Sequence, residues 1–215
     1  MSKRRILLVR HGETDHNKND ILMGQLPSPL NDLGRSQALG LGRSLKNAAI
    51  GAIWSSDLLR TRQTAEIVSD HIRYPRESIK YSAGFREQAL GEWEDRIYKE
   101  VKLRPDFSEY VTKKLMNQGP PGGETRQQFS DRAVKAWNDT IQSTKGTLLI
   151  VAHGGTNRAI LSAVTGITFM EGWKKYQQDN CCINEILMDK DTYELVRVND
   201  ASFLGDIGSS DSTSK

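Results

Sequence analysis

Residues 6–13 of the chain read Ile6-Leu7-Leu8-Val9-Arg10-His11-Gly12-Glu13. The apolar run predicts a buried strand, and the polar, glycine-containing residues after it predict a loop at the carboxyl end of that strand. The same arrangement recurs where residues 147–152 run into His153-Gly154-Gly155. Because ligands of open parallel sheets bind at the carboxyl ends of the strands, we expect both histidines at one site. Arg10, beside the first histidine, suggests that the ligand is an anion.

Other segments alternate between strand and helix patterns. Ala52-Ile53-Trp54 predicts a short strand followed by a helix capped by Ser55 or Ser56, and residues 79–83 predict a further strand. The remaining predicted elements are helices after Asn31 or Asp32, over 98–116 with a break at Pro105, over 125–143 and over 156–166, and a strand pair over 183–198. Strands that alternate with helices predict a three-layer α/β/α sandwich with a mainly parallel sheet.

The length of the chain favours a single large domain, and its charge bears on the class of partner. Its 215 residues suit one large α/β domain, which we assign to residues 1–207. The tail at 208–215 is small and polar and is expected to be disordered. The net charge of +3 is mild, and no dense stripe of lysine and arginine interleaved with aromatic residues is present. We therefore expect no nucleic-acid partner.

The cysteine content and the apolar runs predict a cytoplasmic protein. Cys181 and Cys182 are the only cysteines, and neighbours of this kind rarely bridge each other, which is typical of a reducing compartment. The amino terminus lacks the apolar stretch of a signal peptide, and the longest apolar runs fall far below the ~20 residues of a membrane span. We expect no membrane partner, and the sequence does not indicate an oligomeric state.

A third motif is expected at the same edge of the sheet. Arg60 falls in the first turn of the helix that follows the strand at Trp54. Helix amino termini bind phosphate through exposed N–H groups and the positive end of the helix dipole. The planar guanidinium of arginine donates parallel hydrogen bonds that match phosphate oxygens. Together with Arg10, His11 and His153, this arginine predicts a phosphate site.

These motifs resemble those of the histidine phosphatase superfamily, the phosphoglycerate-mutase-like enzymes. The similar segments are Arg10-His11-Gly12-Glu13-Thr14 with Asn17, residues 24–34, residues 55–65, Phe85-Arg86-Glu87 with Gly91-Glu92-Trp93-Glu94, and residues 151–155. They occur in the family's order over about residues 5–200. Each motif is weak alone, but their number and order make the resemblance strong. It implies a phosphoglycerate-mutase-like fold.

The resemblance also implies a role for each matching residue. His11 would be the nucleophile that accepts the phosphoryl group, and Glu87 would be the general acid that protonates the leaving oxygen. Phosphate would be held by Arg10, Arg60, His153 as an imidazolium, Asn17 and the Gly154 N–H. The arginines and histidines supply the positive charge, so neither a metal nor a cofactor is expected. His16 lies five residues after His11, but without carboxylate neighbours this spacing is weak evidence for a metal.

The sequence leaves several alternatives open. Glu92 and Glu94 lie close enough to Glu87 to compete for the role of the acid. Mutases of this family carry a longer segment between the acid and the second histidine than the one from Glu87 to His153 in this chain. We therefore favour hydrolysis of a small phosphorylated metabolite. Mutase-type phosphoryl transfer and a non-catalytic member that binds a phosphorylated ligand or a protein remain as alternatives. Candidates for contacting a second anionic group are Arg86, Arg96, Lys102 and Arg126.

Overall fold

A six-stranded sheet forms the centre of the protein in this computed structural model, which describes residues 3–190 and 192–207. The strands are β1 (Arg4–Arg10), β2 (Ile21–Leu22), β3 (Ile50–Ser56), β4 (Lys80–Ser82), β5 (Arg96–Ile97), β6 (Thr147–Ala152), β7 (Ile183–Asp189) and β8 (Thr192–Asp200). The central sheet has the order β4-β3-β6-β1-β7-β8, and β2 pairs with β5. The tail at 208–215, for which we expect disorder, lies outside the described residues.

The sheet is mainly parallel, as predicted. Strand β1 pairs in parallel with β6, which pairs in parallel with β3, and β3 pairs in parallel with β4. The predicted strand pair near the carboxyl terminus is the β7–β8 hairpin, and it adds two antiparallel strands at one edge. Arg10 lies opposite Ala152, and Ser55 lies opposite Val151, so β1, β6 and β3 end beside one another. Three motif-bearing loops therefore start at the same edge.

Helices cover both faces of this sheet. Within the described residues they are α1 (Asp15–Lys18), α2 (Asp32–Ser44), α3 (Leu59–His71), α4 (Tyr98–Val101), α5 (Pro105–Lys113), α6 (Arg126–Ser143), α7 (Gly154–Thr165) and α8 (Phe169–Lys175). Leu7 and Val9 of β1 pack with residues of α2 and α3. Ile6 and Leu8 point to the opposite face and pack with residues of α6 and α7. Both faces of β1 are buried, which explains its unbroken apolar run.

Several element boundaries differ from the predicted ones. Strand β3 continues through Ser56, so the cap of α3 is Leu58 rather than Ser55 or Ser56. Helix α7 starts at Gly154, two residues before the predicted start at Thr156. The helical region over 98–116 is two helices, and the second starts at Pro105, because proline has no N–H to donate and fits the first helical position. The short β2–β5 pair was not predicted.

The first turn of α2 packs directly on the loop that follows β1. The Gly34 backbone is so close to this loop that an added Cβ would lie 2.0 Å from the Glu13 carbonyl oxygen. The side chain of Asn31 accepts the Gly34 N–H and donates to Glu13 Oε1, at 2.8 and 2.9 Å. Gln37 Oε1 accepts the Glu13 N–H at 2.9 Å. Helix α2 therefore fixes the backbone of the motif loop.

Replacing Gly34 by alanine is expected to destabilise the protein, because the new methyl group would overlap backbone atoms that cannot rotate away. Overpacking of this kind costs about 1–3 kcal/mol or more of the free energy of unfolding, measured here by urea denaturation. Gly51→Ala is the matched control, because its Cβ would meet only ordinary contacts at 3.6 Å. Equal urea midpoints for the two variants would contradict the close approach of α2 to the loop.

Candidate active site

The site lies where β1, β3 and β6 end. His11 directly follows β1, Arg60 is the second residue of α3, and His153 lies between β6 and α7. The two histidine rings meet edge to face, with their centroids 5.2 Å apart. Their exposed fractions are 2% for His11 and 0% for His153. The structure therefore brings the two predicted histidines to one buried position.

His11 is held as a neutral imidazole with a defined tautomer. Its Nδ1 lies 2.7 Å from the Gly12 carbonyl oxygen, so Nδ1 carries the proton and donates it. Among the described residues, none makes a hydrogen bond to Nε2. Burial, and then the charges of Arg60 and Arg10, hold the pKa of His11 well below its usual value. The ring thus offers an unprotonated Nε2 with a free lone pair.

The His11 backbone is fixed by a distant segment of the chain. Its carbonyl oxygen accepts the Cys181 N–H at 3.2 Å and the Asn180 Nδ2 donor at 3.0 Å. Its N–H donates to the Ala152 carbonyl oxygen of β6 at 3.1 Å. These contacts to the neighbouring strand and to the loop before β7 restrict where the imidazole can point.

The guanidinium of Arg10 is only partly hydrogen-bonded by the described residues. Its Nη1 donates to the Gln178 carbonyl oxygen at 2.5 Å, whereas its Nε is buried and has no hydrogen-bond partner among the residues that the structure describes. Burial lowers the pKa of Arg10. Leaving a buried polar group unpaired costs about 1–3 kcal/mol, and more for a charged group. An anionic ligand would remove that cost.

Sequence reasoning missed the amide network that supports Arg10. Gln178 Oε1 accepts hydrogen bonds from the side chains of Asn157 and Asn184, at 2.9 and 2.8 Å. Its Nε2 donates to Asn184 Oδ1 at 2.9 Å. Neutral amides spread over the chain form no motif, so only the folded structure groups them around the site.

Arg60 and His153 form a hydrogen-bonded unit. Arg60 Nε donates to His153 Nδ1 at 3.2 Å, and the opposite nitrogen, His153 Nε2, lies 2.9 Å from Ser56 Oγ. The Arg60 Nη groups donate to the carbonyl oxygens of Leu26 and Gly24, at 3.0 and 2.8 Å. Burial, the largest effect, lowers the pKa of Arg60 to about 10. Each Nη still has a second N–H for a ligand.

The predicted imidazolium form of His153 is wrong for this arrangement. An arginine Nε can only donate, so His153 Nδ1 must accept and be unprotonated, and its proton is on Nε2. Burial, followed by the charge of Arg60, holds the pKa of His153 well below its usual value. Both ring nitrogens are used within the protein. His153 therefore orients Arg60 in this structure, with the help of Ser56, which sequence reasoning did not identify.

Glu87 lies at the amino terminus of α7. Its Oε2 accepts the Gly155 N–H and its Oε1 accepts the Gln88 N–H, both at 2.9 Å. A Cβ at position 155 would lie 2.3 Å from Glu87 Oε1, so the absence of a side chain at Gly155 leaves the space that the carboxylate needs. Arg132, also missed by sequence reasoning, donates to the Glu87 carbonyl oxygen at 3.2 Å and to Glu124. The carboxylate is thus held against the helix that follows His153.

The competing acids are placed differently. The side chain of Glu92 is 66% exposed and lies 3.6 Å from Arg104. Glu94 Oε1 accepts the N–H groups of Gln25 and Leu90, at 3.0 and 2.9 Å, and so fixes local backbone. Neither contact connects these carboxylates with His11 or His153.

Several other predicted site residues have partners within the protein. Asn17 is the third residue of α1, and its side-chain oxygen accepts the N–H of the cap residue Thr14 at 3.2 Å. Arg86 pairs with Asp57 at 2.6 Å, and Arg126 is buried with its donors on the carbonyl oxygens of Tyr110 and Leu115. Both arginines are therefore held by the protein rather than directed at a second anion. Arg96 and Lys102 are exposed.

The residues considered for metal or redox chemistry have structural surroundings. His16 lies 3.0 Å from Ser28 Oγ and 3.5 Å from Asp95. The described part of the chain contains no group of three or more His, Cys, Asp or Glu residues that could hold a metal ion. Cys181 and Cys182 are free and buried, and burial raises the pKa of Cys182 to about 12, which disfavours the reactive thiolate.

Comparison with known proteins identifies the family. The model of the histidine phosphatase superfamily (branch 1) matches residues 6–201. The chain belongs to this superfamily. It is 30% identical over 181 residues to a glucosyl-3-phosphoglycerate phosphatase from Mycolicibacterium vanbaalenii, covering 80% of this chain and 79% of that protein. It is 31% identical over 188 residues to a probable phosphoglycerate mutase, GpmB, from Salmonella choleraesuis, covering 84% and 83%.

A solved structure gives the same result. The α-ribazole phosphatase from Shigella flexneri superimposes with a TM-score of 0.81 at 25% identity, covering 92% of this chain and 96% of that one. The predicted phosphoglycerate-mutase-like fold is therefore confirmed, and the chain is an enzyme of the histidine phosphatase superfamily. In the ranges 3–190 and 192–207, no helix combines the length and the apolar character needed to cross a membrane.

Proposed function

We propose that this enzyme hydrolyses small phosphomonoesters through a phosphohistidine formed on His11, with Glu87 as general acid and then general base. The observation that carries the proposal is the buried, neutral His11 ring. Its Nδ1–H is bound to the Gly12 carbonyl. Among the described residues, its Nε2 has no hydrogen-bond partner, and neither has the buried Nε of the nearby Arg10. A neutral imidazole can attack phosphorus, whereas an imidazolium has no lone pair to donate.

The first half-reaction transfers the phosphoryl group to the enzyme. The Nε2 lone pair forms a bond to phosphorus while the bond from phosphorus to the leaving oxygen breaks. Glu87, as the carboxylic acid, gives its proton to that oxygen, and an alcohol departs. Arg10 and Arg60 offset the charge on the transferring oxygens, and the burial of Arg60 and His11 strengthens such interactions.

The second half-reaction returns the enzyme to its starting state. The Glu87 carboxylate takes a proton from a water molecule while the water oxygen attacks the phosphorus. The bond from phosphorus to Nε2 breaks, and inorganic phosphate leaves. His153 keeps Arg60 oriented throughout, through the hydrogen bond between Arg60 Nε and its Nδ1. The Gly154 N–H and Asn17 are proposed as further donors to the phosphoryl oxygens.

We propose that the partner is a small phosphorylated metabolite rather than a nucleic acid, and that no cofactor takes part. The two free, buried cysteines fit a reducing compartment, so we assign the enzyme to the cytoplasm. Mutase-type transfer is the second candidate, because one relative is named a probable phosphoglycerate mutase. Hydrolysis is preferred because the segment between Glu87 and His153 is short and glycine-rich at residues 119–123.

Activity is expected to survive chelation, because Arg10 and Arg60 supply the positive charge that a metal would otherwise provide. With p-nitrophenyl phosphate, treatment with EDTA should leave kcat within about twofold, and orthovanadate and phosphate should inhibit competitively through the same arginines. The matched control is Arg60→Met, in which orthovanadate should inhibit only at much higher concentration. Loss of activity in EDTA that a divalent cation restores would contradict this charge assignment.

A further inference from the structure

Arg158 is an arginine of the site region that the proposed mechanism does not use. It lies four residues after Gly154 on α7, so the two residues share one face of the helix. Side chains on a helix point back towards its amino terminus. The Arg158 side chain is thus directed over the first turn of α7, where Gly155 binds the Glu87 carboxylate.

The guanidinium of Arg158 is fixed by its inner nitrogen and leaves its outer nitrogens available. Its Nε donates to the Tyr176 carbonyl oxygen at 2.8 Å, and its Cζ lies 4.8 Å from the centre of the Trp173 ring. Among the described residues, neither Nη atom has a hydrogen-bond acceptor or a carboxylate partner. The residue is half-buried, so this arrangement holds the guanidinium in place and leaves its outer donors for a ligand.

Two arginines converge on the start of α7. A Cβ built on Gly154 would lie 3.8 Å from Arg158 Nη1 and 3.7 Å from Arg10 Nε, the buried donor that has no partner in the described part of the chain. Burial and then Arg10 lower the pKa of Arg158, while Glu87 acts in the opposite direction, which is the pattern expected for a shared cleft. Adjacent cations of this kind repel each other until an anion binds between or beside them.

We propose that Arg158 binds a second acidic group of the substrate, so that the enzyme prefers phosphomonoesters with a carboxylate or another phosphate a few atoms from the scissile phosphoryl group. This inference rests on the proposed function. Arg10 and Arg60 are assigned to the reacting phosphoryl group, so the outer donors of Arg158 are left for the rest of the molecule. A guanidinium suits either kind of acidic group, because its planar donors match both.

The test compares two substrates with the same three-carbon frame. 3-Phosphoglycerate carries a carboxylate where glycerol 3-phosphate carries a hydroxymethyl group. Arg158→Gln should lower kcat/KM for 3-phosphoglycerate by about 10- to 100-fold, the range for losing one charge-assisted hydrogen bond. Turnover of glycerol 3-phosphate should stay within about threefold, and Arg158→Lys should recover part of the preference. Arg62→Gln is the matched control, because Arg62 also stacks on an aromatic ring, Tyr81, but on exposed α3 surface.

A binding measurement separates this inference from the proposed function. Calorimetric titration of both compounds into the His11→Ala protein, with and without Arg158→Gln, reports selectivity without turnover. Selective binding of 3-phosphoglycerate that disappears with Arg158→Gln supports the role of Arg158. This holds even if the wild type hydrolyses neither compound, because the lack of turnover would count against the proposed function alone. Equal losses for both compounds, or no loss in a variant that thermal unfolding shows to be folded, would overturn the role of Arg158.

Discussion

Replacing His11 by alanine is expected to abolish turnover, with kcat reduced by about 10⁵- to 10⁶-fold, as for other enzymes that lose their nucleophile. The reason is that the free Nε2 is the only group assigned to attack phosphorus. Rapid-quench labelling with a radioactive phosphomonoester should trap acid-labile, base-stable phosphate on the wild type and none on the variant. His71→Ala is a matched control, because His71 is at the far end of α3 and its Nδ1 lies 3.3 Å from the Ile67 carbonyl oxygen.

A near-normal rate in His11→Ala would refute the nucleophile assignment. A label on the wild type that is stable in acid as well as in base would indicate that a residue other than histidine carries the phosphate. The binding of inorganic phosphate to the variant gives an independent check, because Arg10 and Arg60 remain in place. Retained phosphate binding together with lost turnover would assign the defect to chemistry rather than to folding.

Replacing Glu87 by glutamine is expected to slow hydrolysis of esters with poor leaving groups by about 10²- to 10⁴-fold, the usual contribution of a general acid. The amide has nearly the same shape, but it cannot donate a carboxyl proton. The loss should shrink for p-nitrophenyl phosphate, because its phenolate leaves with little protonation, until hydrolysis of the phosphohistidine limits the rate. The measurement is kcat/KM across a series of leaving groups.

Glu92→Gln is the matched control for Glu87→Gln, since its exposed side chain pairs with Arg104 away from the histidines. It should behave like the wild type across the whole series. If Glu92→Gln instead showed the dependence on leaving group and Glu87→Gln did not, the acid would have to be reassigned to Glu92. Inorganic phosphate should bind Glu87→Gln as well as or more tightly than the wild type, because a negative charge is removed beside an anion.

The sheet and the meeting of the two histidines could be predicted from the sequence because their signals are local. A continuous apolar run such as Ile6–Val9 indicates a strand with two buried faces, and the residue after such a strand lies at the sheet edge. Glu87 has no comparable local signal, and only the family resemblance selected it over Glu92. The structure places the Glu87 carboxylate at the start of the helix that follows His153, through the hydrogen bond from the Gly155 N–H, and its role as the acid stays a prediction.

The protonation of His153 and the supporting contacts of the site could not be predicted, because they depend on what burial brings together. The sequence pattern predicts that a histidine follows a strand, but it does not predict that Arg60 Nε donates a hydrogen bond to the Nδ1 of that histidine. The cap of α3 was misplaced for a related reason. Serine is a residue type favoured at helix caps, yet Ser55 and Ser56 pair with neighbouring strands, which extends β3 through both.

The loop before β7 contacts residues that are far from it in the sequence. Its Gln178 carbonyl accepts Arg10 Nη1 and its Asn180 side chain donates to the His11 carbonyl, across sequence separations of 168 and 169 residues. We expect contacts this distant to form late in folding, because the entropy of closing a long loop must first be overcome. A ribosome-bound chain can therefore display the complete Arg10-His11-Gly12 motif while lacking a competent enzyme. We therefore expect catalytic activity to appear only after the loop that contains Gln178 and Asn180 has docked, so the recovery of activity during refolding should follow this late step.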